Sequence, residues 1–139
     1  MNILLSMILT FAMQAASPPS PVRVLSREAM SQVEDPGQAV ARTPAEFAAL
    51  WKKHAGDKPA PAVDFGSRTV VAVFLGTRSS AGYAADITRI HTTSGALIVE
   101  WQERKPDRGD VTAQVLTSPA VFASVPKFAG EIKFEKVEK

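Results

Sequence analysis

The sequence contains no cysteine among its 139 residues. Without thiols the chain cannot form a disulfide, a thiolate zinc site, a cysteine nucleophile or an N-terminal lipid-modified cysteine. Histidine is also scarce, since only His54 and His91 occur, and neither belongs to a metal-ligand motif. Histidines at helix ends and strand ends are usually solvated or capping groups, and we expect that of both. The sequence therefore predicts neither a metal site nor any other cofactor.

Concentrated charge of one sign is missing as well. The chain has 16 Lys and Arg against 14 Asp and Glu, a net charge of +2, with no run of five or more basic residues. Nucleic-acid binding would require a dense basic patch with interleaved aromatic residues, so we expect no nucleic-acid partner. The 45% apolar and 22% charged content is that of an ordinary globular protein, and the length fits one domain.

Catalytic motifs are absent too. No Gly-x-Ser-x-Gly elbow marks a nucleophile, no glycine loop opens a helix to hold phosphate, and no paired carboxylates stand out. The Arg-Gly-Asp tripeptide at Arg108–Asp110 matches an adhesion motif, but its setting favours a hairpin tip. We predict that the protein is not an enzyme. The alternative is a small hydrolase, which would need a histidine with both a carboxylate and a hydroxyl within hydrogen-bonding reach in a cleft.

The N-terminal residues predict export. An apolar stretch from Ile3 to Ala12 has the length of a signal-peptide core and is too short to span a bilayer. Residues 1–17 are predicted to be a signal peptide, residues 18–22 a Pro-rich spacer, and residues 23–139 one β-rich domain. A buried N-terminal helix is the alternative. Export predicts a periplasmic or secreted protein with no stable membrane anchor once the signal peptide is cleaved.

One helix is clearly indicated between Thr43 and Gly56. Thr43 and Glu46 have the spacing of a capping box, and Pro44 stands at the first helical position, where its missing N–H costs nothing. The apolar residues recur at helical spacing on one face, as expected for a helix that covers another element. These residues are Phe47, Leu50, Trp51 and His54.

The remaining pattern is that of strands separated by turns. Alternating or continuously apolar stretches occur near 24–33, 38–42, 69–75, 96–102, 111–115, 121–125 and 132–135, while 83–92 alternates poorly. Residues 103–110 are charged and contain Pro and Gly, which predicts a hairpin tip. We predict a mostly β (α+β) fold, an antiparallel sheet or sandwich of about seven strands with one covering amphipathic helix.

The stretch "GTRSSAGY" at 76–83 follows the apolar strand at 69–75 and contains the single tyrosine, Tyr83. Two interpretations stay open. The segment can be a plain connection, with glycines at unusual backbone angles and the Tyr83 ring packed on the sheet. It can also be a recognition loop, in which Ser79 and Ser80 offer hydrogen bonds and Tyr83 offers a large amphipathic contact.

Two longer stretches carry a family resemblance. "DFGSRTVVAVFLGTRSSAGYAADITRI" and "VEWQERKPDRGDVTAQVLTSPAVFASVPK" resemble the C-terminal domain of the protease complex subunit PrcB family, and "AEFAALWKKHAG" resembles its helix. The similarity runs from about Ala41 to the C-terminus. The matching positions are Gly76, Gly82, Tyr83, Pro106, Gly109, Thr117, Pro119, Val125 and Pro126.

The resemblance implies a small, non-catalytic protein that is either part of the cell envelope or secreted. The founding member of the family is a lipoprotein accessory to a bacterial surface protease complex. This chain departs from the family in two ways. Ser80 and Ala81 replace the Thr-Gly of the family loop, and the missing cysteine excludes a lipid anchor. The loop also resembles, over four residues, the Thr-Thr-Gly-Tyr loop of chagasin-type protease inhibitors, which gives an alternative function.

We therefore predict an exported protein that binds a protein partner, with a protease as the partner that the resemblance implies. A structural envelope protein without a specific loop contact is a further alternative. The turn at 105–109 is expected to neighbour the binding surface. The predicted partner-binding residues are Arg78, Ser79, Ser80, Gly82, Tyr83, Thr117, Ser118 and Pro119.

Overall fold

The computed structural model describes residues 21–138. The predicted signal peptide at 1–17 and most of the predicted spacer at 18–22 lie outside the described residues. The described part of the chain forms seven strands and one helix. In chain order these are β1 (Arg23–Glu28), β2 (Gly37–Ala41), α1 (Pro44–Ala55), β3 (Arg68–Phe74), β4 (Ala84–Thr93), β5 (Ala96–Arg104), β6 (Ala120–Pro126) and β7 (Ile132–Lys136).

The strands form two sheets, with strand orders β1-β6-β3-β2 and β4-β5-β7. Every pair is antiparallel except β5 and β7, which run parallel. The predicted class is confirmed: a mostly β fold in which two sheets form a sandwich and one helix covers an outer face.

The two central strands, β3 and β6, are buried on both faces. In β3, Val71 and Val73 pack in the core between the two sheets, where β5 contributes Val99 and Trp101. The alternate residues of β3 belong to a second cluster, between this sheet and the helix. A strand with apolar partners on both faces is continuously apolar, which explains the run at 69–75.

The helix is capped and oriented as predicted. The Glu46 N–H donates to the Thr43 hydroxyl at 3.1 Å, and Pro44 is its first residue. Phe47, Trp51 and His54 are buried against the sheet. Gly56 ends the helix with a φ of 63°, a backbone conformation that glycine adopts without strain.

Three local predictions need correction. Residues 111–115 form no strand, because β5 is followed by β6 in the opposite sheet and the intervening chain crosses the end of the sandwich. The predicted hairpin at 103–110 is absent for the same reason. The first strand stops at Glu28, short of the predicted end, and isolated pairing of Met30 with Ser118 follows it.

The poorly alternating stretch at 83–92 corresponds to strand β4. It alternates poorly because β4 contains a bulge. Its pairing with β5 shifts between Ile87 and Arg89, so one extra residue reverses the inward and outward phase. Ile87 before the shift and Ile90 after it both contact the core between the sheets. A strict period of two therefore fails over this strand.

The prediction for His54 is also wrong. Its side chain is 2% exposed and lies beside Trp51 and Phe122, with ring-centre distances of 5.0 and 4.7 Å. His54 lies seven residues after Phe47 and therefore on the same apolar face of the helix. It is buried because that face packs against the sheet. His91 is partly exposed, consistent with a strand-end position.

Phe122 should be the most sensitive position of the helix-side core. It is 0% exposed and contacts the rings of Phe47, Trp51 and Phe74. We expect Phe122→Ala to lower the free energy of unfolding by about 3–5 kcal/mol, because the cavity cannot collapse between a sheet and a helix. Urea unfolding followed by circular dichroism measures this loss. Exposed Val24→Ala is the control, and comparable losses for both would contradict the assignment.

Candidate functional site

The predicted contact residues lie together at one end of the sandwich, where β3 ends and β6 begins. The last ladder pair is Phe74 with Ala120. Beyond it the two chains continue side by side: the Arg78 N–H donates to the Thr117 carbonyl at 2.7 Å, and the Thr117 N–H donates back to Arg78 at 3.0 Å. The antiparallel pairing therefore brings together the two segments named here the 78–83 loop and the 117–119 segment.

Arg78 organises the loop through its side chain. Its Nε donates to Glu103 Oε1 at 2.8 Å, and its Nη1 donates to the carbonyls of Leu75 and Thr77 at 3.0 and 3.1 Å. The guanidinium carbon lies 5.9 Å from the centre of the Tyr83 ring. Four neighbours thus surround this side chain, and the Tyr83 ring is one of them.

Glu103 is the acidic partner that sequence reasoning missed. Its side chain is 5% exposed, and Lys136 Nζ lies 3.5 Å from its second oxygen. The hydrogen bond from Arg78 lowers the pKa of Glu103, against the opposing effect of burial. The carboxylate is therefore the favoured form, and the pair weakens only as the pH falls through that lowered pKa.

Hydroxyl groups within the site hold the backbone of the loop. Thr117 Oγ1 donates to the Ser80 carbonyl at 2.9 Å, and the Ser80 hydroxyl donates to the Ala81 carbonyl at 3.0 Å. Ser80, Thr117, Ser118 and Pro119 are all buried. Binding of a partner by the loop stays a prediction. Because these four residues are buried, we expect them to support the loop and not to contact the partner directly.

Gly82 explains why the loop lies against the chain that follows β5. Its φ is +97°, and a Cβ at this position would lie 2.7 Å from Pro106 Cγ and 3.1 Å from Thr112 Cγ2. The Ala81 N–H also donates to the Ala113 carbonyl at 3.0 Å. The 105–109 turn is therefore a neighbour of the loop, as expected, through Pro106.

The outer surface of the site is partly apolar. Ser79 and Gly82 are exposed, and Tyr83 is half-buried. Beside them residues 111–116, named here the 111–116 segment, expose Val111, Val115 and Leu116. The sequence analysis assigned Val111 and Val115 to a strand at 111–115. It placed neither these two residues nor Leu116 at the site. Pro106 and Pro119, which bracket the segment, were the available indication of an irregular connection.

The histidines do not supply a catalytic arrangement. His54 Nδ1 lies 2.8 Å from the Ser31 hydroxyl, but His54 has no hydrogen-bonded carboxylate among the described residues. His91 Nδ1 is 4.0 Å from a Glu100 oxygen and has no hydroxyl partner within residues 21–138. Neither meets the geometric requirement set for a hydrolase.

Across 21–138, no three histidine or carboxylate side chains are grouped so that they could hold a metal ion. Within this range no helix has the length and apolar character needed to cross a membrane.

Fold and site together define a two-sheet β domain with one covering helix and an ordered, partly exposed loop at one end. Residues 69–126 match the family model described as PrcB C-terminal. The match runs from β3 through β6 and contains the 78–83 loop and the 117–119 segment. It confirms the family resemblance. No curated protein and no solved structure matches the chain.

Gly82 and Gly109 allow a matched test of the loop contact. Their φ angles are +97° and +96°, but nothing lies within 4 Å of a Cβ at Gly109. Alanine should cost about 1–2 kcal/mol at either position through backbone strain, and a further cost of about 1–3 kcal/mol is expected at Gly82 from the clash with Pro106. Urea unfolding of both variants measures the difference, and equal destabilisation would contradict the packing of Gly82.

Proposed function

We propose that this protein is a non-catalytic accessory protein that binds a protein partner through the end of the sandwich formed by the 78–83 loop. The observation that carries the proposal is the PrcB C-terminal match over residues 69–126. A domain of this family fits an accessory subunit of a protease complex. The proposed partner is accordingly a protease, and the proposed location is outside the cytoplasm, in the periplasm or secreted.

The order of the loop supports a binding role. Fixing a loop on association costs conformational entropy, and a loop already fixed in the free protein avoids that cost. Arg78 supplies this fixation by its bonds to Glu103 and to the carbonyls of Leu75 and Thr77. Tyr83 lies under its guanidinium, partly exposed. A rigid aromatic residue of this kind is a frequent anchor in protein interfaces.

The proposed contact surface has two parts. Ser79, Gly82 and Tyr83 form the first, and the exposed apolar side chains of Val111 and Leu116 extend it on the neighbouring segment. Large apolar side chains at an exposed connection are unfavourable in water, and a partner that covers them would gain from their burial. The buried residues Ser80 and Thr117 hold this surface in shape.

Affinity capture tests the proposal. We expect the tagged full chain, expressed in its source organism, to recover a protease, and we expect Tyr83→Ala to reduce recovery by about tenfold or more, since loss of an interface anchor costs at least about 1.4 kcal/mol. Val24→Ala, which shortens an exposed side chain on β1, is the matched control. Thermal unfolding of each variant separates lost binding from lost folding.

Equal recovery of the protease by wild type and by Tyr83→Ala would show that the loop is not part of the binding surface.

The proteolytic activity of the captured complex, measured with and without this subunit, distinguishes two roles. Unchanged or increased activity in its presence supports an accessory subunit. Stoichiometric inhibition that is lost in Tyr83→Ala would instead support the chagasin-like alternative.

A further inference from the structure

Each of the two sheets has two edge strands, whose outer sides pair with no other strand among the described residues. Proteins usually protect such edges with charged side chains or bulges, because an open edge is a template for pairing with another chain. β1 and β4 each contain a bulge and charged residues, and β7 contains two lysines and one glutamate. β2 has neither protection, since its sequence is GQAVA.

The pairing of β3 determines which backbone groups of β2 face outward. The Leu75 N–H donates to the Pro119 carbonyl, so the odd-numbered residues of β3 direct their backbone groups towards β6 and the even-numbered ones towards β2. The β2 residues opposite even-numbered positions are Gly37, Ala39 and Ala41. The N–H and C=O groups of Gln38 and Val40 therefore point away from β3, along the free edge.

This free edge has defined ends. Pro36, at one end, has no N–H, and at the other end the Arg42 N–H already donates to Glu46 Oε2 at 2.9 Å. Between these ends, Gln38 and Val40 each present both backbone groups to a further strand. Gln38 is exposed and Val40 is half-buried, so another chain can reach them.

The free edge is complementary to a second copy of itself. When two copies of β2 lie antiparallel about a two-fold axis at Ala39, Gln38 of each copy lies opposite Val40 of the other. Each such pair exchanges both backbone hydrogen bonds, so the outward groups of both residues are satisfied in both copies. A register shifted by two residues would place Pro36 or Arg42 opposite an outward residue, and a hydrogen bond would be lost.

The charges beside β2 are complementary in the same arrangement. Glu34 and Asp35 precede the strand and Arg42 follows it, and none of the three forms a salt bridge within residues 21–138. The Arg42 guanidinium donates to the carbonyls of Phe128 and Gly130, which leaves its charge without a carboxylate partner. Antiparallel pairing brings the acidic end of each copy to the basic end of the other.

We propose that this protein forms a two-fold dimer by antiparallel pairing of β2 with β2 of a second copy. The pairing joins the four-stranded sheets of the two copies into one continuous sheet. Because the edge is only five residues long, the dimer is weak and reversible. The 78–83 loop takes no part in the pairing, so the dimer does not depend on the proposed contact with a protease.

Single cysteines test the register, because the chain has no cysteine of its own. In the dimer the two Ala39 residues form a non-hydrogen-bonded pair with Cα atoms about 4.5 Å apart, a separation that a disulfide spans. Under mild oxidation of the full chain, we expect Ala39→Cys to give a disulfide-linked dimer. Gln38→Cys is the matched control: its two Cα atoms would be about 8 Å apart, and it should link much more slowly.

Sedimentation and hydrogen exchange test the dimer in the wild-type full chain. We expect a monomer–dimer equilibrium, with the Gln38 and Val40 amides protected from exchange at high concentration and unprotected on dilution. Gln38→Pro removes one outward N–H at a position where an edge strand accepts proline, and it should stay monomeric. Gln38→Ala loses the same side chain but keeps the N–H, and it should dimerise as the wild type does.

The proposal is overturned if the wild-type chain stays monomeric at millimolar concentration, if Ala39→Cys links no faster than Gln38→Cys, or if Gln38→Pro dimerises as well as Gln38→Ala. If Gln38→Pro fails to fold, the two cysteine variants decide. Protection of the Gln38 and Val40 amides that requires addition of the captured protease would also overturn the dimer, and it would assign this edge to that partner.

Discussion

The antiparallel pairing of β3 with β6 is the interaction on which the rest of the structure depends. Both strands are buried on both faces, so this one pair of strands contributes side chains to two separate apolar cores, one on each face of the sheet. The second sheet covers one face and the helix covers the other. Because apolar burial is the main favourable contribution to folding, both covering layers are held chiefly through this pair.

The same pairing determines where the candidate site lies. Arg78 and Thr117 are far apart in sequence, yet they continue the ladder beyond Phe74 and Ala120. The loop that leaves β3 and the segment that enters β6 must therefore share one end of the sandwich. Glu103, at the end of β5 in the other sheet, completes the arrangement by pairing with Arg78 across that end.

Local patterns in the sequence predicted local structure well and long-range neighbours poorly. The capping box at Thr43 and the apolar face of the helix identify α1, because their physical cause lies within a few residues. The alternation at 111–115 predicted a strand that is absent. A strand needs a neighbouring strand to pair with, and the alternation of apolar and polar residues does not reveal which strands are neighbours. The juxtaposition of the two contact segments was predicted only through the family resemblance, and the pairing of Arg78 with Glu103 was not predicted.

Hydrogen exchange of the free protein tests whether the 78–83 loop is ordered before any partner binds. We predict protected amides at Arg78, Ala81 and Thr117, because each of them donates to a backbone carbonyl. The amides of Thr112 and Gln114 form no hydrogen bond within the described residues and should exchange freely. Exchange of the Arg78, Ala81 and Thr117 amides as fast as that of Thr112 and Gln114 would contradict the account.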